Sequence, residues 1–92
     1  MMTKNFDLNQ KIEWCFEMLA QGGTWVYNYP MSSRYDVYNG ELNCFEIEYS
    51  GPSHFILTMD DNVFDSTKYD EKIRGRLRML WEATLRKYQM SK

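Results

Sequence analysis

Apolar residues recur along this chain at two periods. Leu8, Ile12, Cys15, Phe16 and Leu19 follow at helical spacing, which predicts an amphipathic helix over about residues 8–21. Asp7 with Gln10 three positions later has the capping-box spacing that starts such a helix, and Gly22-Gly23 can leave it at positive φ. Trp14 and Met18 lie off the centre of the stripe, one turn apart.

From there the period changes to two. TWVYNYP alternates Trp25, Tyr27 and Tyr29 with Val26 and Asn28 and stops at Pro30, which removes a ladder donor. RYDVYNGELNCFEIEY contains Asn39-Gly40, the type I′ dipeptide, and predicts a tight hairpin with Tyr38 facing Glu41. Phe45, Ile47 and Tyr49 then alternate with Glu46 and Glu48, giving one apolar and one acidic face. Leu42 and Cys44 have the opposite parity to Phe45, which calls for two partly covered faces or a bulge near Cys44. SGPS at 50–53 is a turn. HFILTM is a fourth strand, with Phe55, Leu57 and Met59 on one face and His54, Ile56 and Thr58 on the other.

Residues 60–67 form a polar connector in which Val63 and Phe64 anchor against the core. Thr67 with Asp70 repeats the capping-box spacing and predicts a second helix from near residue 68. Its stripe is Tyr69, Ile73, Leu77, Leu80, Trp81, Thr84 and Tyr88, with Leu85 at the margin. The order α-β-β-β-β-α, with short connections, predicts an α+β two-layer sandwich. A mostly antiparallel four-stranded sheet carries the N- and C-terminal helices on one face and leaves the other open. Ninety-two residues suit one domain, 1–92, and 43% hydrophobic with 16% aromatic residues argues against disorder.

Charge changes the picture most. The net charge of −2 and pI near 5.3 conceal a split: residues 1–66 hold three basic and ten acidic side chains, and residues 67–92 hold eight basic and three acidic. The two parts carry −7 and +5. Such a dipolar chain can orient a partner or associate with its own copies, so a homodimer is an open alternative. Asp36, Glu41, Glu46, Glu48, Asp60, Asp61 and Asp65 could present carboxylates to a basic protein, including one that handles nucleic acid; the same acids also serve plain solubility. Trp25, Tyr27, Tyr29 and Tyr38 suit a core or a protein contact better than base stacking, because Glu46 and Glu48 repel phosphate.

The basic residues of the last helix are the rival. Arg74, Arg78 and Arg86 are its nucleic-acid candidates, yet Glu71 and Glu82 intrude, and Glu82 lies four residues from both Arg78 and Arg86. Dedicated nucleic-acid binders usually have a domain pI above 9 or a readable motif. The bland reading of a solvated helix surface therefore leads, ahead of a protein-docking face that would use Gly75 and Met79 on the outward side as close-approach and adaptable contacts.

Catalytic patterns are thin. His54 is the single histidine, and GxSxG, HExxH and a phosphate-cradling glycine loop are all missing. A small enzyme or ligand carrier would need Cys44 and His54 to converge in a pocket. Asp60, Asp61 and Asp65 miss the EF-hand rhythm, so no metal or other cofactor is called for. Cys15 and Cys44 show no CxxC spacing, MMTKNFDLNQ lacks the apolar core of a secretory leader, and no run is long enough to span a bilayer. The expectation is a cytoplasmic, non-enzymatic interaction domain, a regulator or inhibitor docking to a larger protein. Its binding candidates are Trp25, Tyr27, Tyr29, Asp36, Tyr38, Glu46, Glu48, Asp60 and Asp61.

Overall fold

A computed structural model describes residues 8–21, 25–28, 33–38 and 44–91, with residues 25–28 described through their backbone. Helix α1 (Leu8–Ala20) precedes strands β1 (Trp25–Asn28), β2 (Arg34–Tyr38), β3 (Cys44–Gly51), β4 (His54–Met59) and β5 (Asn62–Asp65). A 3₁₀ turn (Ser66–Lys68) then leads to helix α2 (Glu71–Ser91). The strands form one antiparallel meander in the order β1-β2-β3-β4-β5.

Alternation decides which face is buried. Tyr35 and Val37 of β2 lie opposite Ile47 and Phe45 of β3, and Ile47 lies opposite Leu57 of β4, so one face carries a continuous apolar set. Both helices cover that face. Ile12, Cys15, Met18 and Leu19 of α1 and Leu77 and Leu80 of α2 complete the core, each large side chain contributing about 1.5–3 kcal/mol by leaving water. Trp81 of α2 joins an aromatic cluster, its ring 5.0 Å from Tyr35, 5.8 Å from Tyr49 and 6.4 Å from Phe55. Tyr88 extends the cluster at 5.2 Å from Tyr35. Among the described residues no helix is long and apolar enough to cross a membrane.

The helix-sheet-helix order stands as expected, and three local features differ. First, Tyr38 pairs with Cys44, not Glu41. The Asn39-Gly40 register would place Arg34 opposite Phe45; the observed one aligns Tyr35 and Val37 with Ile47 and Phe45 on the core side. A buried face outweighs a turn dipeptide. Asn39, Gly40 and Leu42 lie outside the described residues, as do Asp7 and Gly22-Gly23. The one register shift in the β3–β4 ladder falls between Tyr49 and Gly51 and not near Cys44, which is exposed on the open face.

Second, Asn62–Asp65, inside the expected connector, adds a short fifth strand. Asp60 and Asp61 turn the chain with φ of 49° and 66°, the double positive φ of a type I′ hairpin. Phe64 packs against the core, with the Lys11 ammonium 5.9 Å from its ring centroid, whereas Val63 is 64% exposed.

Third, α2 begins at Glu71 and not near 68, because the chain caps twice. The Asp65 carboxylate accepts from the Thr67 amide at 3.0 Å to close the 3₁₀ turn, and the Asp70 carboxylate accepts from the Ile73 amide at 3.1 Å to start α2. Tyr69 between them is extended.

Candidate functional site

The sheet face turned away from the helices is the candidate site. Alternation puts Arg34, Asp36 and Tyr38 of β2 there, with Cys44, Glu46 and Glu48 of β3, Ile56 and Thr58 of β4, and Val63 and Asp65 of β5. Two cross-strand rows result. Asp36, Glu46, Thr58 and Val63 form one, and Arg34, Glu48, Ile56 and Asp65 the other. The Arg34 guanidinium pairs with Glu46 and lies 3.9 Å from the Asp36 carboxylate, which is itself buried. Glu48, Asp60 and Asp61 make no ion pair among the described residues.

At one end of this face lies an open depression of about 300 Å³, lined by Asp36, Tyr38, Cys44, Glu46, Asp60 and Asp61 among others. The Cys44 thiol reports on the field there. Partial burial pushes its pKa above the usual thiol value, and the charges of Asp36 and Asp60 push it further.

At the opposite end, Asp65 is tied in. Its Oδ1 accepts from the Thr67 hydroxyl at 2.8 Å and from the Thr67 amide, and lies 3.0 Å from His54 Nε2. These bonds, Thr67's first and His54's charge after them, hold the Asp65 carboxyl below the usual carboxylate range.

The sequence candidates separate. Asp36, Tyr38, Glu46 and Glu48 share the open face, and Asp60 and Asp61 sit in the turn at its end. Trp25 and Tyr27 occupy β1 positions opposite Tyr38 and Asp36, and Tyr29 lies outside the described residues. Reading single strands missed Arg34, Ile56 and Val63 as members of the same surface, and left Asp65 among the candidate acids without its place in a row. Alternation about Asp36 marks Arg34; the contribution of β5 needs the β4–β5 register, which no local pattern supplies.

Cys44 and His54 do not converge. His54 pairs with Gly51 at the far end of β3, which puts it about 20 Å from Cys44 by strand rise. Cys15 lies on the other side of the sheet, buried with its Sγ 3.7 Å from Met59 Sδ, and burial pushes its pKa far above the thiol range. Both cysteines are free. No group of three metal-ligating side chains occurs among the described residues.

The basic side chains of α2 lie across the molecule, on the helical layer. Arg74 and Arg78 line a second depression of about 420 Å³ between the β3–β4 turn and the start of α2, together with Glu71. Arg86 is not part of it, and Glu82 stands one turn from both Arg78 and Arg86, so the three arginines do not form one uninterrupted face. Arg76 is taken up by Glu13 of α1. No protein-family description matches this chain, and neither the curated proteins nor the solved structures include a match, so a functional reading rests on these two surfaces.

Proposed function

We propose that this chain is a non-enzymatic protein-interaction domain that docks to a basic surface of a larger protein through its open sheet face. One observation carries the reading: Glu48, Asp60 and Asp61, which make no ion pair among the described residues, stand with the Arg34-paired Glu46 and the His54-bonded Asp65 on the face the helices leave uncovered. Tyr38, Ile56 and the exposed Val63 lie among them, so carboxylates and apolar contacts alternate as in a contact surface with a polar rim.

Complementary charge speeds encounter and selects the partner, and the apolar contacts add affinity. A surface that normally grips nucleic acid is the fitting target. Carboxylates spread over a rigid sheet occupy the arginines and lysines that phosphate would use, which makes the domain a regulator or inhibitor. This role needs no cofactor and suits a cytoplasmic location. The nucleic-acid alternative is weaker on the same physics, because Glu71 and Glu82 break the cationic stripe of Arg74, Arg78 and Arg86.

The test is retention on the immobilised chain from host lysate, with and without nuclease, beside the variant E48Q/D60N/D61N. Asparagine tolerates the left-handed φ of the turn, so the variant removes charge and keeps the fold. A stoichiometric protein that survives nuclease and is lost by the variant is expected. Equal retention by the variant, or retention abolished by nuclease, overturns the proposal; a second copy of this chain as the retained protein replaces it with self-association.

A further inference from the structure

Arg34 and Arg76 each close onto a carboxylate, Glu46 and Glu13. Arg74 and Arg78 do not. Helical spacing sets Glu71 three residues before Arg74 and Glu82 four residues after Arg78, yet neither pair forms an ion pair among the described residues. Both guanidinium groups bond to neutral oxygens instead. Arg74 Nη1 donates to the Tyr69 carbonyl at 3.3 Å, and Arg78 Nη2 donates to Ser53 Oγ at 3.2 Å. One bond each positions the two forks and leaves most of their five N–H donors uncommitted.

Both line one depression of about 420 Å³, within the size range of small-molecule sites. Ser53 and Thr67 line its wall, the Thr67 hydroxyl already donating to Asp65, together with Pro52, Gly75 and the nearly buried Phe55. A Cβ built on Gly75 meets nothing within 4 Å, so the helix side of the depression is open space.

We propose that this depression binds a small organic monoanion: a carboxylate held by Arg74 and Arg78, carried on an apolar body that lies against Pro52, Phe55 and Gly75. Charge selects the class. Two arginines with Glu71 on the same wall leave a single net positive charge, which matches a monoanion and disfavours a phosphate dianion facing Glu71. Geometry agrees, since planar guanidinium forks take carboxylates in a bidentate manner. The site lies across the sheet from the acidic face and stands or falls independently of it.

The experiment follows backbone amides of the isotopically labelled full chain during titration with phenylacetate, its neutral isostere phenylacetamide, and inorganic phosphate at constant ionic strength. Phenylacetate is expected to shift Ser53, Thr67 and Gly75 saturably. Each loses charge-assisted hydrogen bonds, so phenylacetamide on the native chain and phenylacetate on R74Q/R78Q should bind at least about tenfold more weakly. Gly75→Leu, which fills the depression and favours helix, should weaken phenylacetate binding while unfolding no earlier than the native chain. Absence of saturable shifts, equal binding of the amide, full binding by R74Q/R78Q or by Gly75→Leu, or tighter binding of phosphate than of phenylacetate overturns the proposal.

Discussion

Ser66 shows what one polar residue does when it is fully buried. Its Oγ accepts from the Phe55 amide at 2.8 Å and donates to the Ser53 carbonyl at 3.0 Å, so a single hydroxyl fastens the β3–β4 turn to the entrance of α2. Removing it leaves the buried Phe55 amide without a partner and frees the part-buried Ser53 carbonyl. Ser66→Ala should therefore cost about 1–3 kcal/mol, read as a lower urea midpoint at unchanged slope. A loss below about 0.5 kcal/mol would mean that water replaces the hydroxyl. Nothing in DNVFDSTK distinguishes this serine from its solvated neighbours, because its burial follows from β4 and β5 pairing and not from any local pattern. Cys44 offers a second residue-scale test. Burial, Asp36 and Asp60 all raise its pKa, so the thiolate fraction at pH 7–8 is below that of a free thiol. Alkylation by iodoacetamide should be slow for an exposed cysteine, faster in D60N at the same pH, and equal in the two proteins once the pH is high enough to ionise both thiols. Equal rates throughout would show that Asp60 contributes no field at the depression.

Elements followed their periodicity wherever many residues agreed. The stripes of α1 and α2 and the alternation of Phe45, Ile47 and Tyr49 with Glu46 and Glu48 were legible because each side chain repeats the same instruction. Features set by two or three residues were not. Asn39-Gly40 marks a turn, but the β2–β3 register answers to the whole apolar face and shifts to pair Tyr38 with Cys44. β5 has four residues and only Phe64 directed to the core, too little alternation to be read without its partner strand. The start of α2 moved because Thr67 and Asp70, spaced as one capping box, serve two different caps. Within α2, Gly75 is a helix-interior glycine that no turn or close contact requires. Gly75→Ala should accordingly raise stability by about 0.5–1 kcal/mol, seen as a higher urea midpoint. Destabilisation would show that the backbone at Gly75 is less helical than its position implies.

At the scale of the whole molecule, the charge split along the chain becomes a split across the sheet. The carboxylates of β2, β3, β5 and the β4–β5 turn stand on one side, and Lys72, Arg74, Arg78 and Arg86 stand on the helical layer opposite. The composition made that dipole visible; only the antiparallel register could bring Arg34, Glu48, Ile56 and Asp65 into one row. The molecule measures 19 Å along its shortest axis. Screening extends about 8 Å at physiological salt and about 30 Å at 0.01 M, so a cation near the acidic face senses that face alone in the first condition and the opposing arginines as well in the second. A short oligolysine is the simplest stand-in for a basic partner surface. It should shift the amides of Glu48, Thr58, Asp60 and Val63 and leave those of Arg74 to Arg86 in place. The complex should weaken steadily from about 0.05 to 0.5 M salt, since surface ion pairs carry most of its affinity. Shifts centred on α2, or binding indifferent to salt, would mean that the paired Arg34 and the His54–Asp65 contact neutralise the sheet too well for charge to recruit anything to it.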